Sequence, residues 1–103
     1  MPTQPLDFLT IICQRKDEKK IIEAALKAGA PGATSLHGTG TGVRQKLGLA
    51  GQMVEAEKAV LLFALPESLT SAVVKAINEA ASLHKAGNGF IALQKAQQIL
   101  GYL

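Results

Sequence analysis

The stretch Gly-Ala-Pro-Gly-Ala-Thr-Ser-Leu-His-Gly-Thr-Gly-Thr-Gly-Val-Arg-Gln, residues 29–45, holds half of the chain's ten glycines. It runs through a short strand at about 33–39 and closes on an arginine and a glutamine. Side chains this small let backbone N–H groups approach an anionic ligand. Thr39, Thr41, Arg44 and Gln45 bring further donors to the same place. The chemistry indicated is phosphate binding, with no evident catalytic group.

Two familiar phosphate motifs fail by counting. A Walker A loop ends in Gly-Lys-Ser/Thr, whereas Gly48 is followed by Leu49. The dinucleotide fingerprint needs a third glycine where this chain has Val43, and it needs a helix directly after the loop. Residues 43–54 read as a loop instead.

Working outward, the flanking segments supply an order of elements. Residues 5–14 are β-rich and apolar, and a helix follows with Asp17 as its expected N-cap. That helix places Ile21, Ile22, Ala25 and Leu26 on one face, sets Glu23 and Lys27 toward solvent, and stops at Gly29. A strand at 57–65 centres on Val60-Leu61-Leu62-Phe63. Pro66 and Ser68 open a second helix with Leu69, Val73, Ile77 and Ala80 or Ala81 inward, and residues 89–94 give a last strand. The sum is β-α-β-β-α-β, an α+β ferredoxin-like sandwich with two helices on one face of a four-stranded antiparallel sheet. The segments 9–13, 59–65 and 90–93 are apolar at alternating positions on both sides, so the open face is expected to be buried against other copies of the chain. Shielding of that face by the C-terminal residues 97–103 is the plainer alternative.

Composition bounds the class. A chain of 103 residues, 48% apolar, fits a single domain with a modest core. A net charge of +3, spread along the chain without interleaved aromatics, is a weak nucleic-acid signature but suits a small anion. The lone Cys13 forms no internal disulfide, the start lacks the pattern of a signal peptide, and no apolar run reaches the roughly 20 residues that span a bilayer. A cytoplasmic protein without membrane insertion is expected.

The residues also carry a family resemblance. Residues 29–34 and His37-Gly38-Thr39-Gly40-Thr41-Gly42 resemble the Gly-Ala-Arg-Gly-Gly-Thr and His-Gly-Arg-Gly-Thr-Gly pattern of the PII-like signalling proteins, relatives of the PII nitrogen regulators. Glu57-Lys58-Ala59-Val60-Leu61 is similar to the entry into the family's third strand, and Ala86-Gly87-Asn88-Gly89-Phe90 to its B-loop. The resemblance implies one PII-like domain over residues 1–103, with a T-loop at about 41–54 and a B-loop at about 84–90. It implies a homotrimer with nucleotide clefts between subunits, and no enzymatic activity. Nucleotide phosphates would sit between Gly38, Thr39, Gly40 and Thr41 of one subunit and Gly87, Asn88 and Gly89 of the next. Gly42, Arg44, Gln45 and Lys46 would meet a target protein, a transporter or an enzyme.

Departures from the pattern narrow the ligand. Phe90 stands where the nitrogen regulators have a lysine, Gln97, Gln98 and Leu100 where they have arginines, and Thr39 where PII-like proteins have an arginine. AMP, ADP or a cyclic nucleotide is favoured over ATP, and no cofactor is required. The only tyrosine, Tyr102, lies outside the T-loop, so uridylylation there is not expected. Two other readings share the fold. A divalent-cation tolerance protein would need metal ligands, yet His37 and His84 have no third His or Cys beside them. An acylphosphatase-like enzyme would have only Arg44 and Asn88 as nominal site residues.

Overall fold

A computed structural model of the chain describes residues 5–40 and 56–97. The elements are β1 (Leu6–Gln14), a single 3-10 turn (Arg15–Asp17), α1 (Glu18–Lys27), β2 (Thr34–Gly40), β3 (Ala56–Pro66), α2 (Glu67–Ala81) and β4 (Gly89–Ala96). Every strand pairing is antiparallel and the order is β2-β3-β1-β4, so β3 and β1 are central and β2 and β4 form the edges. This is the ferredoxin-like arrangement expected from the sequence.

The register divides the sheet's residues between two faces. Leu9, Ile11 and Cys13 of β1 and Ala59, Leu61, Phe63 and Leu65 of β3 are buried, and with Ile21 and Ala25 of α1 and Val73, Ile77 and Ala81 of α2 they form the core. The alternate residues look the other way. Leu36, Val60, Ile12 and Phe90 are consecutive cross-strand partners, so one row of apolar side chains crosses all four strands of the open face. Leu36 and Phe90 are more than half exposed in the single chain.

The helix ends follow from local chemistry. α1 stops in a Schellman motif: the Gly29 N–H donates to the Leu26 carbonyl and the Ala30 N–H to the Ala25 carbonyl, with Gly29 at φ +111°. α2 ends on Ser82 in the left-handed region, its N–H donating to the Asn78 carbonyl at 2.7 Å.

Three side chains depart from the sequence expectation. Asp17 occupies the N-cap position but makes no capping hydrogen bond; the preceding 3-10 turn leaves it helical and buried, paired with Lys20 at 3.2 Å. Leu26 is exposed, because the buried stripe of α1 is centred on Ile21 and Ala25 and Leu26 falls at its margin. In α2 the stripe is Thr70, Val73, Ile77 and Ala81, so Thr70 is buried and Leu69 only partly so. Thr70 is tolerated inside because its hydroxyl donates to Asp7 Oδ2 at 2.7 Å.

Candidate functional site

Residues with perturbed electrostatics mark the two ends of the sheet. At one end Asp7, 1% exposed, accepts from Thr70 and faces Lys95 Nζ at 3.0 Å, while Lys95 also donates to Glu67 at 2.9 Å. The Thr70 hydroxyl and the Lys95 ammonium together hold the Asp7 carboxyl below its ordinary range. Glu67 and Asp7 in turn push the Lys95 ammonium upward. This cluster ties β1, β4 and α2 together and lies away from the glycine segments.

The glycine segments stand at the other end. Gly38, Thr39 and Gly40 close β2, on the exposed edge of the sheet, and Gly87, Asn88 and Gly89 lead into β4 on the opposite edge. Register puts them level: Gly38 pairs with Lys58, Lys58 with Gln14, and the preceding Cys13 with Gly89. Three strand spacings separate the two edges, about 14 Å. A single chain therefore does not bring the two segments onto one phosphate.

Each segment has its own support. His37, the residue before Gly38, sends Nε2–H to both carboxylate oxygens of Glu18 at 2.9 Å, fastening β2 to the first turn of α1. That contact is the chief reason the Glu18 carboxyl is held below its ordinary value. The Lys58 stem lies against Gly40, where an added Cβ would come within 3.2 Å of its Cγ. Lys58 shares the open face with Gly38, and the sequence marks this lysine only as part of a segment entering the third strand. Its cross-strand position next to a glycine is visible only once the register is known.

Across the sheet, Gly89 is confined to glycine. Its φ is +125° and a Cβ there would overlap the Ile12 carbonyl oxygen. The Asn88 side chain does not point outward for a ligand. Its Nδ2 donates to the Ala81 and Ser82 carbonyls at 3.3 and 3.1 Å, and its Oδ1 accepts from Gln14 Nε2 at 3.2 Å. Phe90 projects onto the open face opposite Ile12, and Lys85 is exposed on the turn. Thr41, Gly42, Arg44, Gln45 and Lys46, with the rest of the expected T-loop, and the tail positions Gln98, Leu100 and Tyr102 lie outside the described residues.

The remaining candidates have structural roles. Burial pushes the Cys13 thiol up to about 11, which suits a core side chain rather than a nucleophile. His84 follows α2 and meets the Asn78 side-chain oxygen, with its N–H and its Nδ1 each 3.1 Å away. Among the described residues no group of three His, Cys, Asp or Glu side chains is placed to hold a metal ion. No helix among them is long and apolar enough to cross a membrane.

Comparison with known proteins places the fold and the family. A Bacillus cereus protein related to NIF3 superposes with a TM-score of 0.71 at 19% identity, over 95% of this chain and 27% of that one. At that identity the likeness is one of fold, and this chain spans about a quarter of that protein's length. No curated protein sequence matches the chain. The family described as nitrogen regulatory protein P-II matches residues 6–99, which includes every strand and helix above and both glycine segments. The chain belongs to the nitrogen regulatory protein P-II family.

Proposed function

We propose that this PII-family regulatory protein senses an adenine nucleotide in clefts between the subunits of a homotrimer and transmits its state through residues 41–54 to a transporter or enzyme. The observation that carries the reading is the placement of the two glycine segments: same end of the sheet, opposite edges. A ligand contacting both needs the edge of one chain set beside the other edge of the next. The apolar row Leu36, Val60, Ile12 and Phe90 offers the surface over which copies would pack.

Within such a cleft the chemistry is that of a modestly charged ligand. Lys58, the cross-strand partner of Gly38, offers a cation on the β2 side, and backbone donors supply the rest. Phe90 and Gln97 offer no charge for an outer phosphate, so AMP, ADP or a cyclic nucleotide fits better than ATP.

Thermal unfolding with AMP, ADP, ATP and cyclic AMP, with and without magnesium, together with a solution mass, tests the reading. A nucleotide at one hundred times its dissociation constant adds about 2.7 kcal/mol of stability, a readily measured shift. Stabilisation of a trimer by one adenine nucleotide, lost or much reduced in Lys58→Met, is the expected result. A protein that none of these nucleotides stabilises at millimolar concentration would overturn it.

A further inference from the structure

Gln14 and Asn88 form a linked pair of amides whose orientations are fixed by the groups around them. A backbone carbonyl only accepts, so the Asn88 nitrogen must face the Ala81 and Ser82 oxygens, 3.3 and 3.1 Å away. Its Oδ1 is thereby turned toward Gln14. The Gln14 nitrogen must likewise face the Gly87 carbonyl at 3.2 Å, and the same nitrogen reaches Asn88 Oδ1 at 3.2 Å. Three carbonyls thus dictate both amides, and neither has an alternative flip that keeps its partners.

The pair spans distant parts of the chain. Gln14 is the last residue of β1, and the bonds it makes cross more than seventy positions to the turn before β4. Asn88 carries the connection on to the C-terminal end of α2, and its own N–H donates to the Lys85 carbonyl at 3.2 Å. The turn holding Gly87 at φ +87° and Gly89 at φ +125° is therefore clamped on one side by β1 and on the other by α2. Glycines at such angles would otherwise sample many conformations, and each would present a different set of backbone donors.

We infer that Gln14 is a positioning residue for the ligand cleft: through Asn88 and the Gly87 carbonyl it holds the Gly87–Gly89 turn in the single shape that offers its backbone to a bound phosphate. This rests on the nucleotide reading above, and it assigns Asn88 a bracing role rather than a ligand contact. Preorganisation of this kind raises affinity by removing the ordering cost of a glycine turn at the moment of binding.

The test compares the full chain with Gln14→Met, which keeps the side chain's length without its amide, and Gln14→Ala. Amide hydrogen exchange over residues 85–89 is read beside nucleotide affinity by calorimetry and the thermal midpoint. Both variants are expected to exchange faster in that turn while the core strands stay protected and the midpoint moves little. Affinity should fall about tenfold, the scale of one or two lost hydrogen bonds. Exchange in the turn unchanged in Gln14→Met would overturn the brace, and so would a wild-type nucleotide affinity retained in both variants. If the wild-type chain binds no adenine nucleotide, the nucleotide reading falls, and the exchange comparison still decides whether Gln14 holds the turn.

Discussion

Gly89 is the residue on which the end of the sheet depends most directly. Its φ of +125° lies where an L side chain is strained, and the space a Cβ would take is filled by the Ile12 carbonyl oxygen and the Cys13 Cα. Replacing it with alanine has to move the β1 backbone or break the first β1–β4 pairing. Gly89→Ala is expected to lower stability by roughly 2 kcal/mol or more, measured as a shift in the urea midpoint. Gly38 is the contrast. Nothing stands within 4 Å of a Cβ there, so Gly38→Ala should leave the midpoint within about 0.5 kcal/mol of wild type. An equal loss in both variants would mean that glycine is required at these sites for some reason other than the backbone of β4. The two glycines look alike in the sequence; the positive φ at Gly89 and the close approach of β1 separate them.

At the scale of elements, the periodicity of the chain was a good guide and its polar residues a poor one. All four strands and both long helices fall within about two residues of where alternation, the 3.6-residue period, Gly29 and Pro66 put them, because each of those signals is local. The burial of Thr70 was not legible, since it depends on a partner far away in the chain, and neither alternation nor the 3.6-residue period marks the short 3-10 turn at Arg15–Asp17. Thr70 is inward because Asp7, sixty-three positions earlier, accepts its hydroxyl hydrogen bond. The glycine segments of the candidate site were likewise visible, but Lys58 and Gln14 were not, because their proximity to those segments is a property of register. The Asp7 cluster has a consequence for pH. Its carboxyl is held below its ordinary value of 3.8 by Thr70 and Lys95, so it adds stability above that pH, and this contribution is lost as the pH falls through the lower folded value. Lys95, raised above 10.5, adds stability below that pH and loses it as the pH rises through its higher folded value. Between these limits the contributions of Asp7 and Lys95 do not change with pH. Thermal midpoints from pH 2 to 5 should therefore fall more steeply for wild type than for Asp7→Asn, and identical acid limbs would remove Asp7 from the account.

For the whole molecule the open face of the sheet is the deciding surface. Two helices cover one side, and on the other the row Leu36, Val60, Ile12 and Phe90 crosses from edge to edge. In the single chain Val60 is only partly buried, so a charge there would still find water and the fold would survive. In a trimer packed over this face the same position would be closed off. Three carboxylates, one from each copy, would then be brought out of water without partners, at a cost of several kcal/mol per ion. Val60→Asp therefore separates the two states cleanly. The expected outcome is a mass that falls from trimer to monomer by light scattering while the far-ultraviolet dichroism keeps its mixed helix and strand character. Nucleotide stabilisation should disappear in the same variant, because the β2 and turn segments lie about 14 Å apart across one sheet and would meet only between copies. A trimer that persists in Val60→Asp would mean that the copies pack elsewhere. A monomer that still binds nucleotide would show that one edge of the sheet suffices, and the cleft would then have to be rebuilt around β2 and Lys58 alone.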